Sequence, residues 1–144
     1  MPQPTFSVVL CDWDSARVES RRIREQVFVR EQGVPLALEM DDQDAHCDHA
    51  LAHAADGSVL GTGRLLPDGH IGRMAVLKEW RGKGVGALLL HTLMEQARQR
   101  GHASVRLNAQ TAAAGFYRRL GFTICGPEFI EAGIPHVAMQ RDLS

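Results

Sequence analysis

The chain has 144 residues, of which 44% are hydrophobic and 23% charged, with a formal net charge of −1 at pH 7. This length predicts one domain, residues 1–144, with one hydrophobic core, and the small net charge gives no reason to expect nucleic-acid binding. No apolar run approaches the roughly 20 residues that span a bilayer, and the N-terminus lacks the segments of a signal peptide. We therefore expect a cytoplasmic protein with no membrane partner and with its three cysteines reduced.

The first half of the chain predicts a strand, a long helix, an acidic loop and a meander of three antiparallel strands. Asp12 or Asp14 can cap the helix, Gly33 can end it, and the pair Asp56-Gly57 is typical of a tight hairpin. The expected ranges are 5–11 for the strand, 15–31 for the helix, 36–48 for the loop, and 49–55, 58–66 and 70–77 for the meander.

The second half predicts a crossover followed by a short helix and two more strands. The helix over 84–100 connects the strand over 70–77 to a strand over 103–109, and such a crossover implies that these two strands run parallel. Thr111 can cap the short helix. The remaining expected ranges are 112–120 for that helix, 122–125 for a strand, 128–133 for a loop and 135–143 for a final edge strand.

Three glycines at alternate positions (Gly82, Gly84 and Gly86) separate the third meander strand from the helix. Glycine lets a backbone approach a ligand closely, and a helix N-terminus offers unpaired N–H groups and partial positive charge. Arg81 and Lys83 add full charges, so the stretch predicts a phosphate or pyrophosphate site. A Walker A loop would need Ser or Thr after the lysine, and the third glycine comes one residue early for the dinucleotide fingerprint.

The pattern R-x-x-G-x-G at residues 81–86 resembles the pyrophosphate loop of the GNAT superfamily of acyl-CoA N-acyltransferases. Residues 116–122, Phe-Tyr-x-x-x-Gly-Phe, are similar to the superfamily's last acyl-CoA-binding helix, and the order of elements is similar over nearly the whole chain. Residues 27–35, with acids and His49 downstream, resemble the YjcF/ElaA-like branch. The resemblance implies an α/β (α+β) fold with a mixed, mostly antiparallel central sheet of about six to seven strands, about four flanking helices, and a splayed parallel pair of strands at the acyl-CoA site.

Carried onto this chain, the resemblance implies that acetyl-CoA is the cosubstrate. The pantetheine arm would run along residues 74–76, the N–H of Ala75 would hold the thioester carbonyl oxygen, and N–H groups of residues 81–86 would hold the pyrophosphate. Lys83, Arg118 or Arg119 would reach other phosphates. The expected cofactor-binding residues are Met74, Ala75, Val76, Arg81, Gly82, Lys83, Gly84, Val85, Gly86, Asn108, Phe116, Tyr117 and Arg119.

Two proton transfers need side chains, and we expect Tyr117 to supply the first. Acetyl transfer to an amine expels a thiolate, which a nearby phenol can protonate; simple packing beside Phe116 and Phe122 is the alternative. The incoming ammonium must also lose a proton, and Glu39 is the preferred base, while a solvated or structural role is the alternative. The expected acceptor-binding residues are Glu39, Asp42, Asp44 and His49. Further candidates for the base, directly or through water, are Asp41, Asp42, Asp44 and His49.

Charge is distributed unevenly along the chain. Residues 31–63 contain seven acids and no Lys or Arg, whereas residues 64–119 contain ten basic residues and three acids. This pattern favours an anionic acyl-CoA for one part and a cationic small-molecule amine for the other, although charge clusters also form ordinary solvated faces. We expect direct transfer of an acetyl group to a primary amine; a non-catalytic acyl-CoA-binding module and a peptide or protein amine acceptor stay open.

No metal is expected. The side chains Asp44, His46, Cys47, His49 and His53 match no zinc spacing, and the nearby aspartates miss the calcium-loop spacing. The last strand could pair or swap between subunits, as happens in the GNAT superfamily, so a homodimer is possible.

Overall fold

The first half of the chain folds into an antiparallel sheet. In the computed structural model, which describes residues 5–143, the strand order of this sheet is β1-β2-β3-β4. Residues 1–4 lie outside the described residues, so the structure does not address the expectation that the N-terminus carries no signal peptide. The four strands are β1 (Phe6–Cys11), β2 (Asp48–Ala54), β3 (Val59–Leu65) and β4 (Ile71–Val76). The predicted meander is confirmed.

A second sheet is built around the last strand, to which three others pair. Its strands are β5 (Ser104–Gln110), β6 (Thr123–Ile124), β7 (Phe129–Glu131) and β8 (Ile134–Asp142), all antiparallel to β8. Two sequence-based expectations were wrong here. Residues 129–131 form a strand rather than a loop, because Ala132 and Gly133 adopt positive φ and turn them back onto β8. The last strand is interior rather than an edge, with β5 on one side and β6 and β7 on the other.

The first helix changes its winding partway along. It begins as α1 (Trp13–Arg24), where the Asp12 carboxylate accepts a hydrogen bond from the Ser15 N–H at 2.9 Å. It continues as a π-helix over Glu25–Glu31 and ends before Gly33, whose φ is +74°. A π-helix is rare in proteins, and where one occurs it is often at a functional site. The predicted span of 15–31 is therefore confirmed, but the change of winding was not expected.

Among the remaining helices only one is long. The acidic loop contains α2 (Leu36–Glu39) and a 3₁₀ turn over Asp44–His46, and a second 3₁₀ turn covers Lys78–Trp80. The long helix is α3 (Val85–Gln99), and the predicted short helix is a 3₁₀ turn over Thr111–Ala113 followed by α4 (Ala114–Arg119). Thr111 does not cap this helix, because its hydroxyl is buried without a hydrogen-bond partner among residues 5–143. No helix in the same range is long and apolar enough to cross a membrane.

The main core lies between α3 and the two sheets. Leu89, Leu90 and Leu93 are fully buried there, and burial of each such side chain contributes about 1.5–3 kcal/mol. Two glycines on β3 let the helix approach closely. A Cβ atom at Gly63 would lie 2.7 Å from the Met74 Sδ and 2.9 Å from the Leu93 Cδ1, so no larger residue fits without movement.

The two sheets meet at a single point and then diverge. β4 and β5 run parallel, as predicted, but among residues 5–143 they are joined only near the start of β4, by a bridge between His70 and Arg106. A bulge in β4 follows, because Thr62 pairs with Ala75 and Arg64 with Gly72, which leaves two residues of β4 opposite one of β3. Bulges bend a strand and end its pairing on one side. The splayed parallel pair is confirmed, and residues 5–143 form eight strands in two sheets.

Candidate active site

The divergence of β4 and β5 opens a slot that ends beside the glycine-rich loop. One wall is β4 beyond its bulge, the other is the end of β5, and α3 begins just past the end of β4. Unpaired strand edges present N–H and C=O groups to whatever lies between them. A linear molecule that carries amide groups can therefore pair with the edge of β4 in this slot, as an added strand would.

The peptide groups of β4 alternate between β3 and the slot, and this alternation corrects the role expected of Ala75. The Leu77 N–H donates to the Leu60 carbonyl on β3 at 2.8 Å, and the Ala75 carbonyl oxygen lies 3.2 Å from a Cβ built at Gly61. Because every second peptide group faces the same side, the Ala75 N–H also faces β3. The N–H groups on the slot side are those of Met74 and Val76.

The glycine loop turns the chain sharply into α3. Gly82 has φ +77° and Gly84 has φ +89°, a left-handed conformation that costs other residues about 1–2 kcal/mol. Gly84 caps α3 without a side-chain hydrogen bond, and the first turn contains no acid. The N–H groups of that turn are therefore free to bind an anion.

The two basic residues of the loop make different contacts. Arg81 donates from both terminal nitrogens to the Glu31 carboxylate, at 2.9 Å each, and from its Nε to the Val76 carbonyl at 3.0 Å. The Lys83 ammonium lies 5.8 Å from the centre of the Trp80 ring. Arg81 therefore fixes the loop to its neighbours, and Lys83 is the basic side chain of the pair without an ion-pair partner in residues 5–143.

The aromatic motif lies on α4 and reaches the first turn of α3. A Cβ built at Gly86 would lie 3.5 Å from the Phe116 ring, and Tyr117 packs edge-on to Phe116 and Phe122 with ring centres 5.0 and 6.0 Å away. Burial alone raises the pKa of Tyr117 to about 12. The phenol therefore stays protonated at neutral pH, which is the form that a hydrogen-bond donor needs. Asn108, Arg118 and Arg119 are exposed.

Most acids of the 31–63 stretch are neutralised by arginines. Glu39 is 4% exposed and is paired with Arg24, which also donates to Asp44 at 2.9 Å. Arg64 bonds to the same Asp44 oxygen and to both oxygens of Asp41. Arg73 adds contacts with the Glu39 and Asp41 carboxylates, and we call these six residues the charge network; its members are Arg24, Arg64, Arg73, Glu39, Asp41 and Asp44.

The charge network lowers the pKa values of its aspartates, and His49 beside it is buried. The Arg64 hydrogen bonds lower the pKa of Asp41 to about 2, and the pKa of Asp44 is also lowered, because bonds from Arg24 and Arg64 outweigh the desolvation that would raise it. His49 is fully buried against the Trp13 ring, and desolvation lowers its pKa. Direct contact between an acceptor and the buried groups of Glu39, Asp44 or His49 would therefore require the segment to open.

Sequence reasoning missed the three arginines of the charge network. A signal was available for Arg24, which lies at helical spacing among the buried residues of the first helix, on the same stripe as Ala16, Ser20, Ile23 and Val27. An arginine on a buried stripe needs a carboxylate partner. Within residues 5–143, no cluster of His, Cys, Asp and Glu side chains could hold a metal ion, and Asp42 is exposed with no ion pair.

Known proteins share this sequence and architecture. The acetyltransferase (GNAT) domain family matches residues 17–143. The Bacillus subtilis protein YyaT is 40% identical over 132 residues, which cover 88% of each chain. The Bacillus subtilis N-acetyltransferase YjcF is 38% identical over 124 residues, which cover 83% of this chain and 88% of YjcF.

Two solved structures have the same fold over almost their full length. An acyl-CoA N-acyltransferase from Pseudomonas aeruginosa superposes with a TM-score of 0.84 at 28% identity, covering 95% of this chain and 99% of that one. Escherichia coli ElaA also has a TM-score of 0.84, at 26% identity, covering 96% and 100%. The chain therefore belongs to the GNAT acetyltransferases. Its relatives place it in the YjcF/ElaA-like branch, and it is an acyltransferase whose cosubstrate is an acyl-CoA.

Proposed function

We propose that this protein moves an acetyl group from acetyl-CoA directly to the primary amine of a small molecule. The observation that carries the proposal is the slot between β4 and β5, which leads from the bulge to the free N–H groups at the start of α3. A pantetheine arm has amides that can pair with a strand edge, and its pyrophosphate suits a helix N-terminus. The slot and the loop thus fit the two parts of one cosubstrate.

In this proposal, the position along β4 decides which backbone group meets which part of acetyl-CoA. The pyrophosphate lies at residues 82–86, so the thioester lies at the opposite end of the arm, near the bulge. Of the two slot-facing N–H groups, that of Val76 is nearer the loop and pairs with a pantetheine amide. The N–H of Met74 is nearer the bulge and donates to the thioester oxygen as negative charge develops there.

Transfer then needs one bond to form and one to break. The neutral amine nitrogen attacks the carbonyl carbon, the carbon–sulfur bond breaks so that CoA leaves as a thiolate, and the nitrogen gives up one proton to water. Tyr117 donates a hydrogen bond to the departing sulfur. Because a thiol has an ordinary pKa of about 8.5, the phenol with its pKa of about 12 stabilises the thiolate by this bond and need not give up its proton completely.

The charge distribution along the sequence indicated a cationic acceptor, but the ion pairs in the structure weaken that indication. Five of the seven acids in residues 31–63 form ion pairs with arginines of this chain, namely Glu31, Glu39, Asp41, Asp44 and Asp48. They are not free to attract a cation. A primary amine remains the proposed acceptor group, but these paired acids give little reason to expect a cationic molecule.

Replacing Tyr117 with phenylalanine tests the chemical role, because only the hydroxyl is lost. We expect kcat for acetyl transfer to fall by about a hundredfold, with the Kd for acetyl-CoA from calorimetry unchanged. Thr123→Val, which removes an exposed hydroxyl from β6, is the control and should retain kcat. An unchanged kcat in Tyr117→Phe would restrict the tyrosine to packing, and absence of acetyl-CoA binding in the unmodified protein would contradict the proposed cosubstrate.

A further inference from the structure

The segment over residues 31–41 is attached to three sides of the slot. Glu31 bonds to Arg81 of the glycine loop, as described above. The side-chain amides of Gln32 and Gln110 exchange two hydrogen bonds, at 2.9 and 3.3 Å, and Gln110 is the last residue of β5. These two contacts hold the start of the segment against the loop and against the end of β5.

The third attachment is at the bulge of β4. Arg73 is a bulge residue with φ +50°, an uncommon conformation for a residue other than glycine. Its Nε donates to the Glu39 carbonyl at 3.2 Å and its Nη2 to the Leu38 carbonyl at 3.4 Å. Because the proposed site of the thioester is also at this bulge, Arg73 holds α2 next to the place where an acceptor nitrogen must arrive.

The helix α2 is inverted relative to an ordinary surface helix. Its carboxylate residue, Glu39, is buried at 4% exposure, whereas Leu36, Leu38 and Met40 are 48%, 58% and 46% exposed. A surface helix normally turns its apolar residues inward and its charges outward. Leu36 and Met40 are four residues apart and share one side of this turn, whereas Leu38 projects from the other side, so the turn exposes apolar side chains on both flanks.

The charged side chains around α2 leave little net charge to attract a cationic acceptor. The charge network contains three arginines and three carboxylates, so its formal charges cancel. A polycation approaching α2 would therefore meet little net negative charge, with Asp42, the residue after this segment, as an exposed acid that has no ion pair within residues 5–143. Association with α2 is then governed by apolar burial rather than by ion pairing.

We propose that the acceptor is a primary amine with an apolar body, an arylalkyl or long-chain alkyl amine, which packs on Leu38 while its nitrogen enters the slot at the bulge. This inference rests on the proposed acetyl transfer and names its acceptor class. Leu38 is more exposed than Leu36 and Met40 and is held directly by Arg73 through its carbonyl. It is therefore the residue expected to govern acceptor preference.

The test compares two sets of amines in an assay that follows CoA release and identifies products by mass spectrometry. The apolar set is 2-phenylethylamine and octylamine, and the polar set is spermidine and glucosamine. We expect kcat/KM for the apolar set to exceed that for the polar set by at least about tenfold, since an apolar contact of some 50 Å² is worth this factor.

Variants assign the preference to α2. Leu38→Ser should lower kcat/KM for the apolar amines by about tenfold, Leu38→Met should retain it, and the KM for acetyl-CoA should not change. Val18→Ser is the matched control, because Val18 is also an exposed apolar residue (71%) but lies on α1. Thermal unfolding of each variant checks that the fold is kept.

The outcomes separate this inference from the proposed function. Turnover of the polar set with little or none of the apolar set would overturn the apolar acceptor and leave acetyl transfer standing. Acetylation of neither set by a protein that binds acetyl-CoA would overturn both. Conversion of a dimer into a monomer by Leu38→Ser, measured by light scattering, would overturn the inference by showing that a second copy of the chain covers α2.

Discussion

The proposed acyl-CoA slot and the acid-rich segment 31–49 are built from different parts of the chain. The slot is made from backbone groups: two diverging strands, a bulge, and a helix start with free N–H groups. In the segment, the important groups are side chains: its carboxylates are paired with arginines from α1, β3 and β4. The first region is built to receive a ligand, whereas in the second the charged groups already bind one another.

This difference shows why reactive side chains in a sequence are weak evidence for a site. Carboxylates and histidines can serve catalysis, but a buried carboxylate needs a cation, and the cation can come from any distance along the chain. Asp44 and Arg64 are twenty residues apart and meet at 2.9 Å. The same segment also exposes the apolar side chains of Leu36, Leu38 and Met40.

Removal of Arg24 should break the charge network and has the largest expected effect on stability. Arg24→Ala leaves the Glu39 and Asp44 carboxylates with one buried cation fewer, and we expect the free energy of unfolding to fall by about 3–5 kcal/mol. Urea denaturation followed by circular dichroism measures this change.

Arg22→Ala is the control for Arg24, because Arg22 is on the same helix and its pair with Glu19 is exposed. The control should cost about 0–1 kcal/mol. Equal losses in the two variants would contradict the view that burial makes the network a structural element.

Acid should weaken the folded state in two stages. His49 has a lowered pKa in the folded state, so the unfolded chain binds its proton more readily, and stability is lost as pH falls through the ordinary value of 6.5. Asp41, with a folded-state pKa of about 2, contributes stability above its ordinary pKa of 3.8 that is lost as pH falls from 3.8 toward 2.

Urea titrations between pH 7 and pH 2.5 measure both stages. Asp41→Asn should reduce the loss of stability below pH 3.8 without abolishing it, because Asp44 also has a lowered pKa, and it should leave the stage near pH 6.5 intact. A free energy of unfolding that stays constant from pH 7 to pH 5 would contradict the account of His49.

The exposed pair between Glu31 and Arg81 gives the smallest expected effect and sharpens the contrast with the buried network. The two side chains are 25% and 43% exposed, so Glu31→Gln should cost about 0.2–1 kcal/mol of stability. Because the proposed pyrophosphate contacts come from backbone N–H groups, the Kd for acetyl-CoA should also stay nearly constant in calorimetry. A large loss of affinity would mean that the pair holds the glycine loop in its binding shape.

Local sequence signals predicted most of the fold. The alternation of apolar residues, the turn pair Asp56-Gly57 and the glycines around α3 identified the meander and the crossover, because each signal acts within a few residues. The errors arose where contacts between distant parts of the chain determine the structure. Whether β8 lies at an edge depends on β5, β6 and β7, which pair with it from distant parts of the chain.

The candidate site divides in the same way. The glycine loop was recognisable because positive φ at Gly82 and Gly84 requires glycine itself. The direction of the Ala75 N–H was not recognisable, because it depends on the register of β4 against β3 and on the bulge between them. The neutralisation of Glu39 was equally hidden, since its partner Arg24 lies on another element.

The most direct test of the central claim is calorimetric titration of acetyl-CoA into the protein and two glycine variants. Gly84 and Gly101 stand at opposite ends of α3 with nearly equal φ, +89° and +88°, so Gly84→Val and Gly101→Val impose similar backbone strain. If the backbone at the start of α3 holds the pyrophosphate, Gly84→Val raises the Kd by at least about a hundredfold, the worth of one or two lost charge-assisted hydrogen bonds, whereas Gly101→Val leaves it unchanged. Equal affinities in the two variants, or no acetyl-CoA binding by the unmodified protein, would contradict the claim.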